Sequence, residues 1–472
     1  MRIYDVGIVG GGPAGLFAAL ELVKLRSDLK IALFDKGGRV EERKCPIAFK
    51  TQDWWRKPLD SVNCGSCSIC HVLHGIGGAG AFSSGIVNLR PDVGGDLDKL
   101  LGSWEAAEEL VKYVDNVLLE FGAPKDSLLV PDSKKARQIE KLAAKAGAKY
   151  IPTPQRILGT EVVVNIVSEI TKYLEKSVVD IHSFTSVVAI DKTSGSFRLK
   201  TNRGDFQARR ILLAPGRGGA EWLRHIAESI GLSVKSGVLD VGVRVEVPHY
   251  ITEHVTSINY DPKIVMYTKT WDDMVRTFCT NPQGFVIKEY YSDGTIGVNG
   301  ESYREIKSKN TNFALLVTLK LTDPYTDILE LGKSIARMAT KVGVGRPIIQ
   351  RLGDLERGRR STWERISRST IAPTLRDSTP GDISLVLPHR VVSNILEAIS
   401  RLDVIYPGLA SPQTLIYAPE IKYYGVVVEV GKNMETSVEG IYVAGDGAGL
   451  SRGINIAAAT GVLAARGIVS SL

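Results

Sequence analysis

Residues 4–20 read YDVGIVGGGPAGLFAAL. An apolar β-type run, Val6 to Val9, goes straight into Gly10-x-Gly12-x-x-Gly15. An apolar helical pattern follows, with Pro13 and Ala14 at its start. Gly10 allows a tight turn, Gly12 lets a pyrophosphate approach the backbone, and Gly15 lets the helix pack close to the strand. The helix N-terminus then faces the phosphates with free N–H groups and a positive dipole end. A second strand, KIALFDK, ends in Asp35 and Lys36. Asp35 lies where a carboxylate would hold a ribose hydroxyl. Strand, glycines, helix, second strand and terminal acid together predict a dinucleotide-binding βαβ unit over residues 1–36. An ordinary glycine-rich turn accounts for less of the pattern.

The chain has 472 residues, enough to bury a large core in two or more lobes. Lys and Arg number 59 against 52 Asp and Glu, with no long basic run. A solvated surface explains that surplus, and a nucleic-acid partner is not expected. Few glutamines beside many Ile, Val, Lys, Arg and Glu lean towards a thermophilic source. The first residues show no separate charged region or cleavage site, and no apolar stretch reads as long enough to cross a bilayer. A cytoplasmic protein is expected, with peripheral membrane contact left open for a greasy substrate.

Residues 37–95 are irregular and rich in Gly and Cys. Residues 96–121, 134–147 and 163–176 have helical spacing. DIHSFTSVVAIDK, GSFRLKTN and DFQARRILLAPG, within 180–216, read as strands of a meander returning to the sheet. Residues 237–375 mix strands and helices and read as an inserted lobe. Residues 376–440 return towards the first domain.

GIYVAGDGAG at 440–449 is a strand ending in Gly445-Asp446, and the small-residue helix INIAAATGVLAARGI follows closely. This resembles the second FAD-binding motif of two-dinucleotide-domain flavoproteins, the glutathione-reductase-like group. By that resemblance Asp446 holds the ribityl chain, and the backbone around Asn455 and Ile456 stabilises negative charge on the reduced ring. RILLAPGRGG at 210–219 is similar to the middle motif of the same group. It carries Ala214-Pro215-Gly216 where Ala-Thr-Gly is usual. Val187 joins the cofactor wall in this reading. VGVRVEVP at 241–248, VRTFCTNPQGFV at 275–286, VNGESY at 298–303, NTNFALLV at 310–317 and QRLGDLERGRRST at 350–362 resemble FAD-dependent dehydrogenases described only in general terms. That family implies cofactor and fold and leaves the reaction open. The expected fold class is therefore α/β. A glutathione-reductase-like FAD-binding Rossmann domain is formed by 1–236 and 376–472, with an α+β substrate or cap domain inserted at 237–375.

Cys45, Cys64, Cys67 and Cys70 lie within 26 residues, the last three as Cys-x2-Cys-x2-Cys, and Cys45 precedes proline. Ferredoxin-type clusters use such a run plus a further Cys before proline, here displaced upstream. Four soft thiolates suit a [4Fe–4S] cluster or zinc. A redox dithiol, a c-type haem string at Cys67–His71, and cysteines without a ligand remain alternatives. HGIGGAGAFSSG at 74–85 formally matches the nucleotide fingerprint a second time, but no clear strand leads into it. It is similar to the glycine–serine loop that lies against the isoalloxazine in fumarate-reductase-like flavoproteins. Gly77, Gly78, Ala79, Gly80 and Ser83 or Ser84 would then face the flavin.

His71 and His74 are candidates for proton transfer or metal binding. Arg276 would bind an anionic substrate, and Cys279 would act as a thiol acid or nucleophile, with a buried small hydrophobe as its plain alternative. Arg452 would contact substrate near the ring. The expected function is an FAD-dependent oxidoreductase that moves hydride between a small substrate and flavin N5. Its Cys segment would pass single electrons to a ferredoxin-like or other carrier. Two rivals stay open: a reductase of prenyl or other lipid double bonds, and a non-catalytic redox-sensing protein with a zinc staple.

Overall fold

The computed structural model describes residues 2–45, 67–291, 293–319, 327–449 and 451–472. The opening stretch forms a strand at Ile3–Val9, a helix at Pro13–Leu25 and a strand at Ile31–Phe34. Strands 31–34 and 204–213 flank strand 3–9 in parallel, and strands 179–182 and 441–443 extend the parallel sheet at its two sides. The meander is present as strands 187–193, 196–201 and 204–213, paired antiparallel. Strand 204–213 therefore serves two partners on one side. Its first half closes the meander, and its second half pairs with 441–443.

Helix 13–25 and the last helix, Ile454–Ser471, pack against one another. Gly461 makes the contact possible, because a Cβ there would meet Ala14 O at 2.1 Å. The last helix is the one described helix long and apolar enough to cross a membrane, contrary to the expectation from the sequence. Two-thirds (67 %) of its apolar window is buried within the molecule. Its apolar surface is used by the first helix and the sheet, which is why it reads as apolar on every side.

A second, eight-stranded sheet is mainly antiparallel. Its order is 379–380, 348–351, 415–428, 234–248, 310–319, 274–281, 263–267 and 148–151. Strands 148–151 and 415–428 lie outside the expected 237–375 lobe, so the sheet is wider than that boundary. Local pattern marks each strand but not the distant partner that claims it. Strand 234–248 alternates over residues 239–247. Leu239, Val241, Val243, Val245 and Val247 are buried on one side, while Asp240, Gly242, Arg244 and Glu246 alternate with them. Such alternation usually marks a wet face. Here Asp240, Arg244 and Glu246 are at most 1 % exposed, so the polar face is interior and must satisfy its own charges.

The helical pattern at 96–121 divides into helices 97–101 and 104–120. Ser103 causes the break by accepting Ala106 N–H at the second N-terminus (3.2 Å). The other two helical readings appear as 133–145 and 160–176.

Candidate functional site

One cavity of about 600 Å³ runs from the glycine turn to the second sheet. Its walls gather segments from both ends of the chain: Gly10, Gly12, Pro13, Ala14, Asp35 and Lys36; Gly78, Ala79, Gly80, Ser83 and Ser84; Val187; Ala214, Pro215 and Gly216; Gly445 and Asp446.

Two helices begin on this cavity, and neither is capped by a side chain. Gly12 precedes helix 13–25 and Gly453 precedes helix 454–471. No acid lies in either first turn. Their first N–H groups are thus left for an outside acceptor, and both dipoles favour negative charge. Asp35 Oδ2 accepts Gly11 N–H and Oδ1 accepts Gly37 N–H, each at 2.8 Å. These bonds fix the carboxylate and leave lone pairs for a hydroxyl donor. The 75–80 loop closes against the same turn, where a Cβ on Gly78 would meet Gly12 Cα at 2.9 Å. Two bare backbones therefore form a cradle that any side chain would fill. A dinucleotide diphosphate fits this combination of clearance and uncapped donors.

Asp446 accepts a hydrogen bond from Ser451 Oγ at 2.8 Å. Burial pushes its carboxyl above the usual range, against the pull of Arg217, Arg452 and Lys422. Arg217 follows Ala214-Pro215-Gly216 directly, and its Nη2 reaches Glu289 Oε1 at 2.6 Å. That pair ties the first sheet's loop to the hairpin of strands 285–290 and 296–301.

The second sheet supplies the facing wall through Lys263, Val265, Met274, Arg276, Thr277, Phe278 and Cys279, and the hairpin of strands 285–290 and 296–301 adds Asn299. Cys279 has φ +50°, in the left-handed region, at a register shift between Phe278 and Asn281. Such a residue persists only where its surroundings over-determine it. Cys279 O accepts from Arg244 Nη1 (2.9 Å) and Asn281 Nδ2 (2.7 Å). Arg244 is fully buried. Its Nε and Nη2 hold both carboxylate oxygens of Glu420 (2.7 and 2.6 Å), and it also bonds Asn312 and Asn299, each at 3.1 Å. All five guanidinium donors are used. Sequence reasoning did not single out Arg244, since its role depends on partners from four other strands.

Arg276 also lines the cavity, with Asp240 as resident partner at 2.5 Å and the Phe278 ring 4.7 Å below. The Asp240 carboxyl lies below its usual range despite burial, because Arg276 stands beside it. An anionic substrate at Arg276 would therefore compete with Asp240. Arg452 lines the cavity, and its backbone N–H donates to Gly94 O at 2.7 Å.

His74 lines the cavity, but burial pulls its pKa down to about 3, helped by Lys36, Arg43 and Arg217. So lowered, the imidazole is held neutral near neutrality. His71 lies off the cavity wall, and burial lowers its pKa as well. Gly15, Gly77, Asn455 and Ile456 also lie off the wall. Gly15 packs against Gly10 O, where a Cβ would sit at 1.9 Å. Gly77 N–H donates to Gly11 O at 2.8 Å, and Asn455 Nδ2 donates to Asn88 O at 2.9 Å.

Of the four clustered cysteines, Cys64 lies outside the described residues. Cys45, Cys67 and Cys70 are partly buried, and burial pushes the Cys70 thiol up. Among the described residues no group of three His, Cys, Asp or Glu side chains is placed to hold a metal ion. The second glycine fingerprint is a 3-10 turn at Gly78–Phe82 with no strand leading in.

Residues 239–422 match a family model described as FAD-dependent protein, C-terminal domain-like. The match begins within strand 234–248 and ends within strand 415–428, two neighbours in the second sheet. A relative from Clostridium beijerinckii, itself described as an uncharacterized protein, is 24 % identical across 98 % of this chain and 80 % of its own length. Similar solved structures include glycine oxidase from Geobacillus kaustophilus, with 16 % identity, TM-score 0.40, and coverage of 100 % of this chain and 96 % of that one. L-proline dehydrogenase from P. horikoshii has 11 % identity and TM-score 0.42, covering 98 % of this chain and 91 % of that one.

Proposed function

We propose that this chain is an FAD-dependent oxidoreductase of the glutathione-reductase-like kind, acting on a small substrate held between the two sheets. The observation that carries the reading is the single cavity on which two uncapped helix N-termini and Asp35 converge, with the second sheet as its far wall. The family match over 239–422 supports the choice of FAD.

FAD, when bound, supplies hydride transfer at its ring nitrogen N5. The protein's own part is binding, orientation and exclusion of water. Asp35 accepts a ribose hydroxyl, the 75–80 loop and helix 13–25 hold the diphosphate, and Asp446 takes the ribityl hydroxyls. Helix 454–471 turns its positive end towards negative charge on the ring. Ser84, Phe278 and Cys279 line the same cavity and would form the wall on the substrate side of the ring. The pairing of Arg276 with Asp240 gives this wall polarity without a free charge. The cysteine segment has no relay role in this reading, because no metal-ligand set is assembled among the described residues.

The test is direct. Purified protein is denatured, and the released chromophore is separated and quantified. One FAD per chain supports the reading. Flavin-free protein that takes up no added FAD overturns it. Bleaching of the bound flavin by members of an anaerobic panel of amines, hydroxy acids and unsaturated acids then finds the substrate class.

A further inference from the structure

Arg43 belongs to no motif, yet it sits behind the cofactor wall as a fully buried cation. It follows the short turn at Val40–Glu42. Its Nε donates to His71 O (2.9 Å), Nη1 to Ile76 O (2.8 Å), and Nη2 to Val72 O (3.1 Å) and Gly78 O (2.9 Å). The guanidinium lies 4.4 Å from the Phe82 ring centre. No carboxylate among the described residues bonds to it, and Asp35 acts on it only at longer range. Burial draws its pKa down to about 10, which leaves it charged at neutral pH.

A buried cation is ordinarily paired, because desolvation costs several kcal/mol. Among the described residues its hydrogen bonds go to four backbone carbonyls and its face meets the Phe82 ring, with Asp35 and the Cys70 and Cys45 thiols acting at longer range. All four carbonyls come from the segment that ends at Gly78, the glycine that closes on Gly12. Arg43 itself does not line the cavity. By drawing these oxygens inward it turns the negative ends of four peptide dipoles away from the anion's place, and it adds a fixed positive charge behind them. His74, on the same segment, has its pKa lowered chiefly by burial, with Lys36, Arg43 and Arg217 adding to the shift.

We propose that Arg43 is the fixed counter-charge of the dinucleotide's diphosphate, a positioning residue that acts through the 71–78 segment without touching the ligand. The proposal rests on the FAD reading above. It gives a role to a buried guanidinium that bonds no carboxylate among the described residues: the ligand brings an anion.

The test compares holoprotein of the wild type, Arg43→Lys and Arg43→Gln. FAD release after dilution is followed by the rise in flavin fluorescence, and melting temperature is read on the same samples. Lys keeps the charge with fewer donors, and Gln keeps donors without the charge. Both variants lower the melting temperature through lost carbonyl bonds. FAD release should be at least about tenfold faster in Arg43→Gln, ~1.4 kcal/mol, with Arg43→Lys staying near the wild type. Equal acceleration in both variants, or none in Arg43→Gln, overturns the counter-charge role. If either variant fails to fold, the salt dependence of release decides between the wild type and the other. A slope shared by wild type and Arg43→Gln overturns the proposal, as does one that differs between wild type and Arg43→Lys. A wild type without FAD instead overturns the cofactor reading itself.

Discussion

Cys279 Sγ lies 3.8 Å from Ser84 Oγ, so a bulged strand of the second sheet touches the glycine–serine loop of the first half. Both residues line the same cavity. If the flavin ring occupies that junction, it covers the thiol. Iodoacetamide labelling of Cys279, read peptide by peptide in a mass spectrometer, should slow several-fold when FAD is loaded. Equal rates with and without FAD would remove Cys279 from the cofactor wall.

The left-handed turn at Cys279 depends on Arg244. Arg244→Lys keeps a positive charge but loses the fork that grips Glu420 while bonding Cys279 O. Breaking a fully buried pair in this way costs about 3–5 kcal/mol. Urea unfolding should show that loss for Arg244→Lys and for Glu420→Gln. The double variant should lose clearly less than the sum, because both changes break one network.

His74 predicts how stability depends on pH. Its folded pKa, about 3, lies below the unfolded value near 6.5. The unfolded chain therefore takes up a proton that the folded chain refuses. Stability from this residue is complete above the unfolded pKa and falls as pH drops through 6.5 towards 3, by at most about 1.4 kcal/mol per pH unit. His74→Asn should flatten the urea midpoint between pH 7 and pH 5 relative to the wild type. Parallel slopes for the two proteins would show that another group controls that range.

Gly78 tests the cradle. It has φ +60°, and a Cβ would press on Gly12 Cα. Gly78→Ala is expected to cost about 1–3 kcal/mol in backbone strain. It should also leave the purified protein with little FAD while far-ultraviolet circular dichroism stays native. Full flavin content in that variant would show that the loop yields without harm to the site.

The opening βαβ unit, the meander and the strand ending at Gly445 were legible because each is a local pattern of apolar period and glycine spacing. Those segments also carry most of the cavity wall on the dinucleotide side, from Gly10 to Asp446. His74 was visible as a residue but not as a neutral one, since its pKa is set by burial and by cations distant in sequence. Nothing in the run around 239–247 told that Asp240, Arg244 and Glu246 are enclosed, because that depends on which distant elements cover the strand.

By itself, then, the sequence determined a nucleotide-binding sheet with its glycine turns, because those features rest on neighbours a few residues apart. Only the tertiary structure decided that strands 148–151 and 415–428 join the second sheet, that Arg244 pins Cys279 across the bulge, and that Arg43 stands behind the glycine loop. These are matters of long-range pairing and of where a buried charge finds its partners, and no local periodicity encodes either.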